Sequence, residues 1–437
     1  MNVSIAIMAA GFGTMMKSSL PKVLHPMSGH PMLYHIIHEA KKISDDIHVI
    51  VYHQHETIIS AMQMYFDDVT YVLQDHENVP GTGGAMMAVN PKHDKVLVLN
   101  GDMPLVTAKT LEPLLAIVAP VVLTAFKTSR PFGYGRIKMD NALHVTDIVE
   151  EKDATEEEKT IDIVNAGVYL FERDFLSYAL PLLSNANAQR EYYLTDLIGI
   201  ATQKACAIKA VMVDEEAFMG VNSKVHLAKA ETLMQTRIKT YWMEQGVSMR
   251  LPETSFIDAL ATFEGECILE NGVSILGKTV LKNSTIKAQS VIEESTIDSS
   301  NIGPLARIRP KCYIAHSHIG NFVEVKNSTL QGVKAGHLSY LGDASIDEGT
   351  NVGCGTITCN YDGKAKHKTC IGKNVFIGSD TQLIAPVTIE DDVLIGAGST
   401  ITSNVPSGAL AISRTKMQIK LGFFKRFFSS KRDHETA

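Results

Sequence analysis

Apolar and polar positions follow one rhythm in the first half of this chain and another in the second. Up to about residue 220, short apolar runs alternate with stretches of helical spacing. Val3–Met8, His48–Val51 and Lys95–Leu99 have strand length, while Met32–Ala40 and Glu56–Phe66 carry apolar residues three and four apart. This β-α alternation predicts an α/β, Rossmann-like domain: a mostly parallel sheet with helices on both faces. Ligands of such sheets sit at the carboxyl ends of the strands. Residues 222–246 then read as one long helix, started by Asn222 or Ser223 and stopped by Gly246.

Beyond about residue 250 the helical signal fades. An apolar residue returns at every sixth place through Ile371, Ile377, Leu383, Ile389, Ile395 and Ile401. An earlier run, Val280, Ile286 and Ile292, slips to Ile297 and Ile302. A period of six suits neither an isolated helix nor a simple alternating strand. It suits a parallel β-helix in which each six-residue side turns one aliphatic residue inward. Slips mark loops, and GKAKHK (363–368) is the expected insertion. The expected organisation is therefore an α/β domain over 1–222, a linker helix over 223–248 and a β-helix with a C-terminal tail over 249–437.

Composition narrows the function. A chain of 437 residues exceeds one ordinary core and implies two or three domains. Net charge −7 and a pI near 6.1 argue against a nucleic-acid partner, which needs a basic face. Six scattered cysteines read as reduced thiols, so a cytoplasmic setting is expected. The N-terminal apolar run lacks a basic flank and ends in a glycine turn, so no secretory signal is expected. No stretch reaches the roughly 18 apolar residues of a membrane span.

Several segments carry candidate chemistry. AAGFGT (9–14) follows the first strand, and Gly11 and Gly13 let backbone N–H groups approach phosphate. It matches neither common phosphate-loop fingerprint, so a tight turn competes with a nucleotide site. Lys22 follows and could fold back on the phosphates. Asn100-Gly101-Asp102 ends the strand KVLVL, where a carboxylate suits Mg²⁺ or caps the next turn. Gln74 and PGTGGA (80–85) form a second glycine-rich segment. GYGR (133–136), IVEEKDA (148–154) and VNAGVYLF (164–171) add polar groups at strand ends.

Taken with FMGVNSK, IGNFVEVKN, KAGHLSYLGDA, GCGTITCNYDG, FIGSDTQLIAPV and ALAISR, these motifs are similar to one family over nearly the whole chain. The chain resembles the bifunctional bacterial N-acetylglucosamine-1-phosphate uridylyltransferase / glucosamine-1-phosphate acetyltransferases. The resemblance implies a nucleotidyltransferase domain followed by a left-handed β-helix of hexapeptide repeats, assembled as a homotrimer with acceptor and CoA sites between chains. It implies UTP and acetyl-CoA as substrates, glucosamine-1-phosphate as acetyl acceptor and Mg²⁺ as cofactor. Uracil and ribose would meet Ala9, Ala10, Gly11, Gln74, Gly81 and Thr82, with Lys22 near the phosphates. Asp102 and Asn222 would hold Mg²⁺. Gly135, Glu150, Asn165 and Asn222 would meet the sugar phosphate. His337 would be the base of acetyl transfer, supported by Glu324. Arg309, Lys326, Tyr340, Asn351 and Asn360 would hold the acceptor, and Tyr361, Ser379, Ala397 and Arg414 the acetyl-CoA.

One position departs from the family. Its loop reads G-x-G-T-R-M, and the arginine position here is Met15. Uridylyl transfer builds charge on the α-phosphate and the leaving pyrophosphate. Methionine supplies no cation there, and Lys17 is expected to point elsewhere, so a slowed uridylyl step is expected. In acetyl transfer an amine must lose a proton before it attacks the thioester. A histidine suits that task near neutral pH, and Glu324 could orient it.

Other patterns are discounted. Cys354, Cys359, His367 and Cys370 lack the usual zinc spacing. His53-Gln54-His55 is expected to be exposed. The tail, with Phe423, Phe424, Phe427 and Phe428 among Lys425, Arg426, Lys431 and Arg432, could touch a membrane surface, contact CoA phosphates or pack on the β-helix; packing is expected, because the segment is too short for stable membrane anchoring by itself. Two rival readings are a single-activity sugar-nucleotide pyrophosphorylase and a non-catalytic nucleotide-binding scaffold.

Overall fold

A computed structural model of the chain describes residues 2–429. The chain divides into two compact units between Ile238 and Lys239, a point inside the helix Lys224–Glu244. Ser223 starts that helix, its hydroxyl accepting from the His226 backbone N–H at 3.2 Å.

The first unit is built on a mixed sheet in the order Ile208–Met212, Val121–Lys127, Ile163–Glu172, Lys95–Asn100, Val3–Met8, Ile47–Val51, Thr70–Leu73. Val3–Met8 runs parallel to both neighbours, and Ile163–Glu172 is antiparallel to Lys95–Asn100, Val121–Lys127 and Arg136–Met139. Strand alternation feeds two cores. Ile5, Ile7, Val49, Leu97 and Leu99 face one side, where Leu33, Ile36 and Ile37 of the helix Met32–Ala40 cover them. Ala6, Ile50, Val96 and Val98 face the other, under Ala85, Met86, Leu197 and Ile198. The buried runs read as continuous apolar sequence because both faces are covered.

The second unit is a left-handed parallel β-helix with three sheets of ten, nine and eight strands. Its inward positions form columns: Leu281 stacks under Ile297 and Ile314, and Ile292 under Ile308 and Val325. Here the hexad reading needs a correction. Leu281 points inward and Val280 outward, so the first five-residue step falls between Leu281 and Ile286 rather than after Ile292. At position 358 the inward residue is a fully buried threonine, and Asn360–Lys368 then bulges out between Thr358 and Ile371.

Buried serines form a second column that aliphatic periodicity does not reveal. Ser284, Ser300 and Ser317 hydroxyls accept from the backbone N–H of Ser300, Ser317 and Val333 at 3.1, 2.9 and 3.0 Å. Each corner leaves a backbone donor without a strand partner, and the hydroxyl of the coil below supplies one. The expected packing of the tail on the β-helix does not occur: residues 421–428 are all exposed. Lys431 and Arg432 lie outside the described residues.

Candidate active sites

At the carboxyl edge of the front sheet lies a cavity of about 330 Å³. Ala9, Ala10, Gly11, Lys22, Gln74, Gly81, Thr82 and Asp102 line it, so the structure gathers the nucleotide positions expected from sequence. Gly13 has φ +61°, and a Cβ there would lie 2.6 Å from Lys22 Cβ, so only glycine lets the lysine stem pass. Gly81 has φ +92°, and a Cβ would lie 2.6 Å from the Tyr192 carbonyl oxygen. Gln74 is buried and donates to the carbonyls of Val79 and Gly81 at 3.2 and 2.9 Å, which fixes the second glycine segment. Thr82 accepts from the Leu194 N–H at 3.0 Å.

Lys22 bridges Asp102 and Asn222: its ammonium pairs with the Asp102 carboxylate and donates to the Asn222 side-chain oxygen. Two hard oxygens therefore converge on one positive charge, the donor type a Mg²⁺ ion prefers. Met15 is 63% exposed and Lys17 is exposed, and neither lines the cavity; Lys22 is the one lysine or arginine among its lining residues.

A smaller cavity of about 140 Å³ shares Met8, Thr82 and Asn100 with the first and adds Glu150, Asn165, Gly167, Tyr169 and Thr195. Asn165 is held by its neighbours, accepting from Gly167 N–H at 2.9 Å and donating to the Tyr169 hydroxyl at 2.5 Å. Glu150 accepts from the Thr195 hydroxyl at 2.9 Å, and burial raises its pKa. At Gly135 a Cβ would lie 2.9 Å from Ile148 Cγ2, so glycine lets the two strands approach beside Glu150. Phe12, His76, Glu191 and Thr195 were not among the sequence candidates. Phe12 packs edge-on to Tyr52 and His76 with His53 against it, and the His55 ring meets the Tyr52 carbonyl at 3.1 Å; His53 and His55 are half-buried rather than exposed, and Gln54 is exposed. Glu191 and Thr195 join these cavities from a later segment of the chain, and no local spacing marks them.

On the β-helix, His337 is exposed at a corner. Ser379, Ala397 and Arg414 occupy the same corner of later coils, where Arg414 donates to the Ala397 carbonyl at 2.7 Å and Gly398 N–H to the Ser379 carbonyl at 2.8 Å. The face that follows carries Arg309, Glu324, Lys326 and Tyr340, with Asn360 at its far edge. Asn360 is buried and donates to Asp343 at 2.5 Å and to the Tyr340 hydroxyl at 3.4 Å. Lys366 of the inserted loop contacts Lys326, and that contact, then its charge, lowers the Lys326 pKa; Arg309 adds to the effect.

Two expectations change. Glu324 does not bond His337; its carboxylate accepts from Arg309 at 3.0 Å, because parallel register sets Glu324 directly over Arg307 in the strand that ends beside Arg309. Asn351 lies on the face before the His337 corner, in register with Lys334 and Phe376, apart from the other acceptor residues. Tyr361, in the inserted loop, donates to the Gly363 carbonyl at 2.8 Å, one corner away from Ser379 and Ala397.

Residues 5–159 match the MobA-like NTP transferase domain, and 370–403 match the bacterial transferase hexapeptide (six repeats). The chain is 61% identical over 428 residues to the bifunctional protein GlmU of a Nitratiruptor species, covering 98% of this chain and 99% of that protein. The chain belongs to the GlmU family. GlmU of Aliarcobacter butzleri is 56% identical over 429 residues, covering 98% of this chain and 99% of that protein. GlmU of Wolinella succinogenes is 56% identical over 430 residues, covering 98% and 100%. As a GlmU-family protein the chain is a bifunctional enzyme, a uridylyltransferase and an acetyltransferase of UDP-N-acetylglucosamine and cell-wall biosynthesis that uses a nucleotide and acetyl-CoA. Among the described residues no helix is long and apolar enough to cross a membrane.

Proposed function

We propose that the β-helix first acetylates glucosamine-1-phosphate and that the α/β unit then transfers uridylyl from UTP to the product. The observation that carries the acetyl step is the exposed His337 on one corner column with Ser379, Ala397 and Arg414, beside the cationic face of Arg309, Lys326 and Lys366. Clustered cations seek an anion, which the acceptor's phosphate provides. The His337 imidazole takes the proton of the acceptor ammonium. The amine nitrogen then attacks the thioester carbon, the C–S bond breaks and the CoA thiolate is protonated. Asn360 and Tyr340 hold sugar hydroxyls, and Tyr361 meets acetyl-CoA. Glu324 acts by fixing Arg309.

For the uridylyl step, Ala9, Ala10, Gly11, Gln74, Gly81 and Thr82 hold uracil and ribose. Gly135, Glu150 and Asn165 hold the sugar. A phosphate oxygen of the sugar phosphate attacks the α-phosphorus of UTP, and pyrophosphate leaves. Asp102 and Asn222 would hold Mg²⁺, which supplies positive charge to the phosphates when bound. Lys22 then turns from Asp102 to the phosphates. With Met15 in the loop, Lys22 carries more of that charge alone and the step is slow.

A cytoplasmic homotrimer without a nucleic-acid partner is the setting of this reading. Phe376, Leu394 and Leu410 lie in register and exposed on the face that bears Asn351, which suits contact with a second copy. A neighbouring chain would bring Asn351 to the acceptor residues of this one. The half-reactions test the proposal separately: thiol release from acetyl-CoA with glucosamine-1-phosphate, and pyrophosphate release from UTP with the acetylated sugar phosphate and Mg²⁺. Absence of thiol release would overturn the acetyl assignment.

A further inference from the structure

After the last β-helix strand, Leu410–Ala411, the chain leaves the prism. No Asp or Glu stands between Asp392 and Asp433, whereas Lys416, Lys420, Lys425 and Arg426 fall in that interval. In a chain of net charge −7, residues 393–432 thus carry no acidic side chain. Within it, Phe423–Ser429 is helical. Phe423 and Phe427 stack at 5.9 Å and Phe424 and Phe428 meet at 4.6 Å, so two adjacent i,i+4 pairs form one apolar stripe. Lys425 falls on the other side of the turn, and the Arg426 guanidinium lies over the Phe423 ring at 5.6 Å. The stripe faces solvent: Phe424 is 73% exposed and the preceding Leu421 95% exposed.

We propose that residues 416–428 dock reversibly on an anionic lipid surface. Aromatic rings beside cations match the boundary between acyl chains and charged headgroups, where phenyl groups leave water and ammonium and guanidinium groups stay at the phosphates. The charge selects the occupant: an anionic lipid sheet attracts this stretch while the rest of the chain, acidic on balance, stays away from it. One short helix gives weak attachment, so the association is reversible and salt-sensitive. A second copy of the chain is the competing occupant.

Co-sedimentation of the full chain with vesicles tests this. Vesicles of phosphatidylethanolamine and phosphatidylglycerol should pull down the protein at low salt. Phosphatidylcholine vesicles should not, and raised salt should release it. The double variant Phe424→Ser/Phe428→Ser and the double variant Lys425→Glu/Arg426→Glu should each lose about tenfold or more in vesicle affinity, with both transferase activities unchanged. Three results would overturn the proposal: no binding to the anionic vesicles, equal binding by the serine variant, or lipid-free association between copies that the serine variant abolishes.

Discussion

Lys22 and Asp102 form an ion pair in the lining of the front cavity, and Asn222 accepts a hydrogen bond from the same ammonium. In the proposed uridylyl step the same lysine would leave Asp102 and turn to the phosphates. Replacing it with Lys22→Met leaves Asp102 without its counter-charge. Mn²⁺, followed by its electron paramagnetic resonance, should then bind the nucleotide-free variant more tightly than the parent. Uridylyl kcat should fall by about 10²–10³. Unchanged Mn²⁺ affinity would show that Lys22 does not compete for that place.

Met15 is solvent-exposed, so Met15→Arg should fold as the parent does. A longer cation there can reach phosphates without displacing packed atoms. Uridylyl kcat should rise by about tenfold or more, within the range such groups supply. A gain below about threefold would mean that Lys22 already meets the electrostatic demand.

His337 is exposed and its imidazole holds no structural hydrogen bond among the described residues, so His337→Ala should leave the melting temperature unchanged. Thiol release from acetyl-CoA should drop by about 10²–10⁴ while pyrophosphate release stays intact. A fall in both activities would point instead to a general loss of folded protein.

Asp196 opens the helix Asp196–Gln203, and its pKa is raised to about 6 by burial, with Asp147, Glu150 and Asp153 adding to the rise. A carboxyl raised in the folded state binds a proton there that the unfolded chain has already lost. Stability therefore falls as pH climbs from about 4, the unfolded value, to about 6. Asp196→Asn removes that loss. The variant should match the parent near pH 4 and exceed it at pH 7 by about 1 kcal/mol, a figure discounted for partial solvent contact. Urea midpoints at the two pH values would measure it.

Strong local periodicities made much of the fold legible in sequence. The hexads of Ile371 to Ile401 need one inward aliphatic per side, and that demand is written directly in the chain. Glycine loops at strand ends, as at Gly11 and Gly81, likewise announce where phosphate-bearing ligands can approach. Only the three-dimensional structure decided which groups meet across long separations. Glu191 and Thr195 complete cavities begun near residues 9 and 74, and Glu324 pairs with Arg309 instead of His337. The physical reason is that periodicity reports what one segment buries, whereas a side chain's partner depends on the register of a neighbouring coil or strand. That register is set by the summed packing of the core and leaves no mark in the local spacing of the residues it brings together.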